Sequence, residues 1–112
     1  TVYAIDVKSR TVIKEIKAGT FCNGVTMAPD GKRVYVSNGK DGTVSVIDTA
    51  DNTVVATIPV GKRPWNMAIT PDGKKLYVAN GRSNSVSVID TEGLAVSNEI
   101  KVGEIPWGVV IN

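Results

Sequence analysis

Polar and apolar positions alternate along this chain in short runs. Thr11–Lys17 sets Val12 and Ile16 against Lys14, and Thr53–Val60 runs in the same manner. Arg33–Asn38 puts Val34 and Val36 on one side and Tyr35 on the other. A period of two over such lengths predicts strands with two different faces. Thr1–Asp6 is nearly continuous instead, with Val2, Tyr3, Ala4 and Ile5 in a row, as in a strand covered on both faces. Cys22–Ala28 reads as a strand of small residues, and Thr43–Thr49 and Trp65–Thr70 are further strands. Turn formers separate the runs. Pro29-Asp30-Gly31 combines a fixed φ, a side chain that bonds the backbone two residues on, and a residue that accepts positive φ. No window carries a helical period. Carried through to Asn112, the pattern predicts eleven strands joined by short antiparallel connections.

The pattern itself recurs. Pro29–Thr70 returns, in register and without a gap, as Pro71–Asn112, with 21 of 42 residues identical. Both copies hold P-D-G-K, Y-V-x-N-G, V-S-V-I-D-T and V-G-x-x-P-W. Thr1–Ala28 aligns at the same offset with Thr43–Thr70, with Ile5, Asp6, Ile16 and Gly19 among the identities. A period of about 40–45 residues with four short strands per unit predicts the blade of a β-propeller. The fold class is therefore all-β, an arc of about 2.7 four-stranded antiparallel blades. The predicted division is a partial blade at 1–28 (two outer strands and the next inner strand), a blade at 22–59, a blade at 65–101, and the inner strand of a further blade at 106–112. The chain is 14 residues short of three repeats and lacks one equivalent of Pro71–Asn84, so it is expected to be part of something longer. Each unit is apolar on both faces and has to pack against a unit on either side. The expected partners are the remaining blades of the same protein or other copies of the chain.

Composition and motif content narrow the chemistry. Hydrophobic residues at 42% and charged residues at 21% describe a folded globular domain. A net charge of +2 provides no electrostatic footprint for nucleic acid or an acidic membrane. No apolar run approaches the ~18 residues of a membrane span. The chain has no His, which removes the usual zinc and haem ligand and the commonest general base from this stretch. G-x-S-x-G, H-E-x-x-H, C-x-x-C-H and P-loop motifs do not occur. The single Cys22 forms no internal disulfide. The sequence therefore assigns no catalytic, cofactor-binding or metal-binding residues.

Tyr35–Asn38 (Y-V-S-N) and Tyr77–Asn80 (Y-V-A-N), each set between P-D-G-K and V-S-V-I-D-T, resemble the YVTN-type β-propeller repeat. The resemblance covers Pro29–Asn112 and, more weakly, Thr1–Ala28. It implies a ring of about seven or eight blades. It also implies an extracellular, cell-surface or periplasmic location, since this repeat is common in archaeal surface-layer proteins and in secreted or periplasmic bacterial proteins. It leaves activity open, because relatives of this shape include adhesion modules, lactonase-like enzymes, a DNA-binding propeller and haem-carrying redox domains.

In a repeat protein, a residue present in every copy is framework, and one that breaks the repeat on an exposed loop is the better functional candidate. Asp6, Asp48 and Asp90 share one repeat position and read as strand-end carboxylates bonding their own turns rather than as a catalytic ring. Asn38 and Asn80 end strands and are expected to close the loops that follow. Trp65 and Trp107 share a position held by Asn23 in the first copy. They read either as wedges between blades or as an aromatic wall for a sugar or peptide. Cys22 reads as a small hydrophobe. Unrepeated loop residues gather on one face, with Lys40, Lys62, Arg63 and Arg82 among them. The candidate ligand-binding face is Lys40, Arg63, Trp65, Arg82 and Trp107, with cations for an anionic group and tryptophans as a wall. The expected function is a non-catalytic, extracytoplasmic binding or scaffold module presenting loops to a protein or glycan. The alternative is a fragment of a propeller enzyme, a lactonase-like hydrolase or a redox propeller, with its catalytic residues on other blades. Binding of nucleic acid through the loop cations is the weakest reading, and steep salt dependence would be its sign.

Overall fold

The computed structural model describes residues 1–112 and contains ten strands and no helix. Strands β1 (Val2–Asp6) and β2 (Thr11–Ile16) form a two-stranded antiparallel sheet. Strands β3 (Cys22–Met27), β4 (Arg33–Asn38), β5 (Thr43–Asp48) and β6 (Thr53–Pro59) pair in chain order as a four-stranded antiparallel sheet, blade one. Strands β7 (Pro64–Ile69), β8 (Lys75–Asn80), β9 (Ser85–Asp90) and β10 (Ala95–Lys101) repeat that order as blade two. The chain is thus an all-β partial propeller, as its periodicity predicts. No helix is long and apolar enough to cross a membrane.

The eleventh strand does not form. Residues 106–112 carry no strand. Their repeat equivalents β3 and β7 are each hydrogen-bonded to the strand that follows them, β4 and β8. Residues 106–112 are paired with no other segment, so their backbone groups join no ladder.

The hairpin turns follow from the P-D-G-K motif. The Gly31 N–H donates to the Ala28 carbonyl at 2.9 Å, and the Ala28 N–H donates to Arg33 at 2.9 Å. Gly31 takes φ 72°, the left-handed conformation that a side chain disfavours. Blade two repeats the turn, with Gly73 at φ 73° donating to Thr70 at 2.8 Å. Alternation then decides what the strands bury. Tyr35, Val44, Val46 and Ile58 of blade one meet Met67, Leu76, Val78 and Ile89 of blade two in one core. Val36 and Ile47 point the other way, onto Ile16 of the two-stranded sheet. The cores therefore lie between sheets, as in a stacked-repeat protein.

A second contact sets the spacing of the blades. A Cβ on Gly19 would press on the side chain of Asn38, and one on Gly61 would come within 2.6 Å of the side chain of Asn80. Each glycine ends the segment that precedes a blade and seats that blade's asparagine. Gly103, at the same repeat position, faces open space. The free flanks are apolar as well. The two-stranded sheet leaves a cleft of about 380 Å³ beside Ile16, Val25, Met27 and Ile47, and every residue of β10 is exposed.

Candidate functional site

Polar residues that recur every 42 positions serve the framework. Asp6, Asp48 and Asp90 each accept a backbone N–H two residues on, from Lys8 (3.1 Å), Ala50 (2.8 Å) and Glu92 (3.1 Å). The strand-end reading of these carboxylates holds. Asp30 and Asp72 do the same in the P-D-G-K turns, with Lys32 and Lys74 as donors. Asp72 also accepts the Thr70 hydroxyl at 2.6 Å. That bond, with the Lys74 N–H, holds its carboxyl below the ordinary value of 3.8. Asn38 is fully buried and donates to Thr43 Oγ1 (3.1 Å) and Ser45 Oγ (2.9 Å), tying the loop after β4 to β5. Asn80 does the same to Ser85 and Ser87.

The inner strands carry the aromatic pair. Both β3 and β7 lose register against the next strand, between Cys22 and Val25 and between Pro64 and Met67. These bulges contain Asn23 and Trp65, the residues at the variable inner position. A bulge re-aims a side chain out of the regular alternation. The Trp65 ring lies against Gly81, where an added Cβ would meet it at 3.0 Å. Trp107 covers it, with centroids 4.4 Å apart and the planes tilted by 45°. Trp65 is thus a wedge between a glycine and a second ring, while Trp107 remains 72% exposed. Together with Asn23, Gly24, Val25 and Asn66 they line a hollow of about 470 Å³.

The loop cations lie in a separate groove. Lys40, Lys62, Arg63 and Arg82 all line a space of about 840 Å³, whose walls include Gly42, Pro59, Val60 and Gly61. The five candidate residues therefore divide: Lys40, Arg63 and Arg82 in this groove, Trp65 and Trp107 in the inner-strand hollow. Only Pro64 separates Arg63 from Trp65 in the chain. The Arg63 guanidinium carbon stands 4.6 Å from the centre of the Phe21 ring, a cation–π contact. Sequence reasoning singled out Arg63 without pairing it with Phe21. Their shared repeat position was the available signal, since equivalent residues of consecutive units lie beside one another. Cys22 was also under-read. Its thiol is half-buried, with its one S–H in reach of the Gly19 carbonyl (3.5 Å) and of Asn38 Oδ1 (3.4 Å).

The structure contains no cluster of three or more side chains suited to holding a metal ion. The framework has relatives among known proteins. The family model described as YNCE-like beta-propeller matches residues 23–110. Among solved structures, the chain is similar to the hydrazine synthase of Kuenenia stuttgartiensis, at 39% identity and a TM-score of 0.76, over 78% of this chain and 25% of that one. It is similar to dihydro-heme d1 dehydrogenase NirN at 25% identity and a TM-score of 0.74, over 88% of this chain and 21% of that one. A functionally unknown protein from Desulfotomaculum acetoxidans shares the fold, with a TM-score of 0.83 at 22% identity, over 96% of this chain and 37% of that one. The chain thus spans between 21% and 37% of the length of these three proteins. No curated protein matches it.

Proposed function

The chain belongs to the YNCE-like β-propeller family, and from that premise we propose that it is a non-catalytic binding and scaffold segment of a larger propeller. The reading includes a YVTN-type, extracytoplasmic module that offers its loops and inner-strand hollow to a protein or glycan. One observation carries it: the division between repeated and unrepeated side chains. The repeated carboxylates and amides are taken up by turns and loop closures. In the two hollows, Lys62, Arg63 and Asn66 differ from their repeat equivalents, and Trp65 and Trp107 stand where the first unit has Asn23. Recognition by a rigid scaffold with variable loops is the common use of such an arrangement.

The two tryptophans are the only ones in the chain, and both lie in the inner-strand hollow. Their fluorescence in the full-length protein, for which other tryptophans are replaced by Phe where present, reports occupancy there. Titration with neutral oligosaccharides and with short peptides is expected to give a saturable change that W107A abolishes. Silence across both panels would sink the proposal for this hollow. A second reading is favoured by the 39% identity with a segment of hydrazine synthase. On it, the chain is part of a redox enzyme's propeller, with the chemistry on residues outside these 112. Turnover by the full-length protein that falls in kcat with W107A would support that reading over the first.

A further inference from the structure

We propose that the groove between the loop ends of the two blades is an oxyanion site, taking a carboxylate or sulfate group, either free or carried on an acidic saccharide. The site's biological use rests on the binding-module reading above; its existence does not. Four cationic residues, Lys40, Lys62, Arg63 and Arg82, line this one groove. The single carboxylate on its lining, Asp41, is already engaged, with Oδ2 accepting the Thr20 N–H at 2.7 Å.

The backbone that carries these residues is held in place. The Lys62 N–H donates to Ser83 Oγ at 2.6 Å, and its carbonyl accepts from Arg82 at 3.0 Å. The Arg63 carbonyl accepts from Gly81 at 3.0 Å, with Arg63 itself at φ 58°. Two basic residues are thereby fastened to the backbone beside a third. The Arg63 guanidinium is then steadied against Phe21, and its Nε is buried without a hydrogen-bond partner. A guanidinium braced on an aromatic ring keeps its planar fork and loses little freedom on binding a planar or tetrahedral oxyanion.

The Lys62–Arg63 pair belongs to this seam alone. At the positions of Lys62 and Arg63, the preceding unit has Thr20 and Phe21 and the following one Glu104 and Ile105. A track for a long polyanion would continue from seam to seam, whereas a pocket for one anionic group need not. This discontinuity favours a discrete oxyanion over nucleic acid.

The test is calorimetric titration of the full-length protein at constant ionic strength. The probes are sodium sulfate, a galacturonate oligosaccharide, its neutral galactose counterpart and single-stranded DNA, with chloride as reference. Sulfate and galacturonate are expected to bind saturably. R63K keeps the charge but loses the planar fork, and is expected to weaken both by about tenfold. Because Arg63 packs on Phe21, R82Q serves as the second variant. Arg82 is exposed, so the fold should survive, and affinity should drop roughly fivefold. Sulfate binding as tightly as the oligosaccharide would assign a free anion, and tighter oligosaccharide binding would assign the saccharide; both support the site. Three results would overturn it: no binding above chloride, binding indifferent to both R63K and R82Q, or preference for DNA. Anion binding with no tryptophan response to neutral ligands would leave this site standing while the inner-strand reading fails. The opposite pair of results would do the reverse.

Discussion

Asn38 and Asn80 occupy one repeat position, end equivalent strands, and are both fully buried. Each donates twice to hydroxyls on the next strand. They differ at the carbonyl end. Asn38 Oδ1 accepts the Cys22 thiol at 3.4 Å, whereas Asn80 Oδ1 is buried with no partner. The cause is a single residue. Blade two has Pro64 where blade one has Cys22, and proline has neither a side-chain donor nor an N–H to give. Two units with the same framework therefore carry different local costs, since an unpaired buried acceptor is penalised by about 1–3 kcal/mol. Sequence identity between repeats guarantees a common shape, not a common stability.

The largest test of this comparison lies at the seating glycines. Gly19→Ala and Gly61→Ala push a methyl into a buried asparagine and should each cost about 1–3 kcal/mol in urea unfolding. Gly103→Ala, with open space around it, should stay within about 0.5 kcal/mol. If a further blade packs there, its cost should rise to that of Gly61→Ala. Next come the asparagines themselves. Asn38→Ala forfeits three satisfied bonds and should cost about 2 kcal/mol, while Asn80→Ala removes an orphaned acceptor along with its bonds and should cost about 1 kcal/mol. Equal costs would break the comparison. Cys22→Ala, which imposes blade two's defect on blade one, should cost about 1 kcal/mol, and Cys22→Ser should recover most of it by restoring a donor. The smallest effect is at Asp72, which is solvent-exposed. Its folded carboxyl is held below 3.8 by the Thr70 hydroxyl and the Lys74 N–H. Its contribution is therefore present above that pH and lost as pH falls through the lowered folded value. Unfolding midpoints measured between pH 2 and about 5 should show a shallower acid limb for Asp72→Asn than for the wild type.

The parts of the fold that were legible in advance are those set by local chemistry. P-D-G-K fixes a hairpin from within four residues, and period-two alternation fixes which side of a strand meets a neighbour. Residues 106–112 show the converse, since they have the composition of a strand but are paired with no other segment. At the candidate site, the division between repeated and unrepeated residues correctly put Asp48 and Asp90 in turns. It did not separate the tryptophans from the cations, since whether two loop ends open into one hollow or two depends on bulges at Asn23 and Trp65. The Cys22–Asn38 bond was equally hidden, because it joins residues 16 apart through strand pairing rather than through a motif.

The glycine-on-asparagine seat described above has a consequence for descent. Because the same joint recurs every 42 residues, with Gly19 to Asn38 and Gly61 to Asn80, unequal recombination between repeats would add or delete one blade and leave each surviving joint chemically intact. Blade number is then free to drift by gene duplication, with circular closure acting as the filter. The Lys62–Arg63 pair, by contrast, exists at one joint only. A duplication would copy it or split it, so lineages with different blade counts should differ first in their loops and last in their joints.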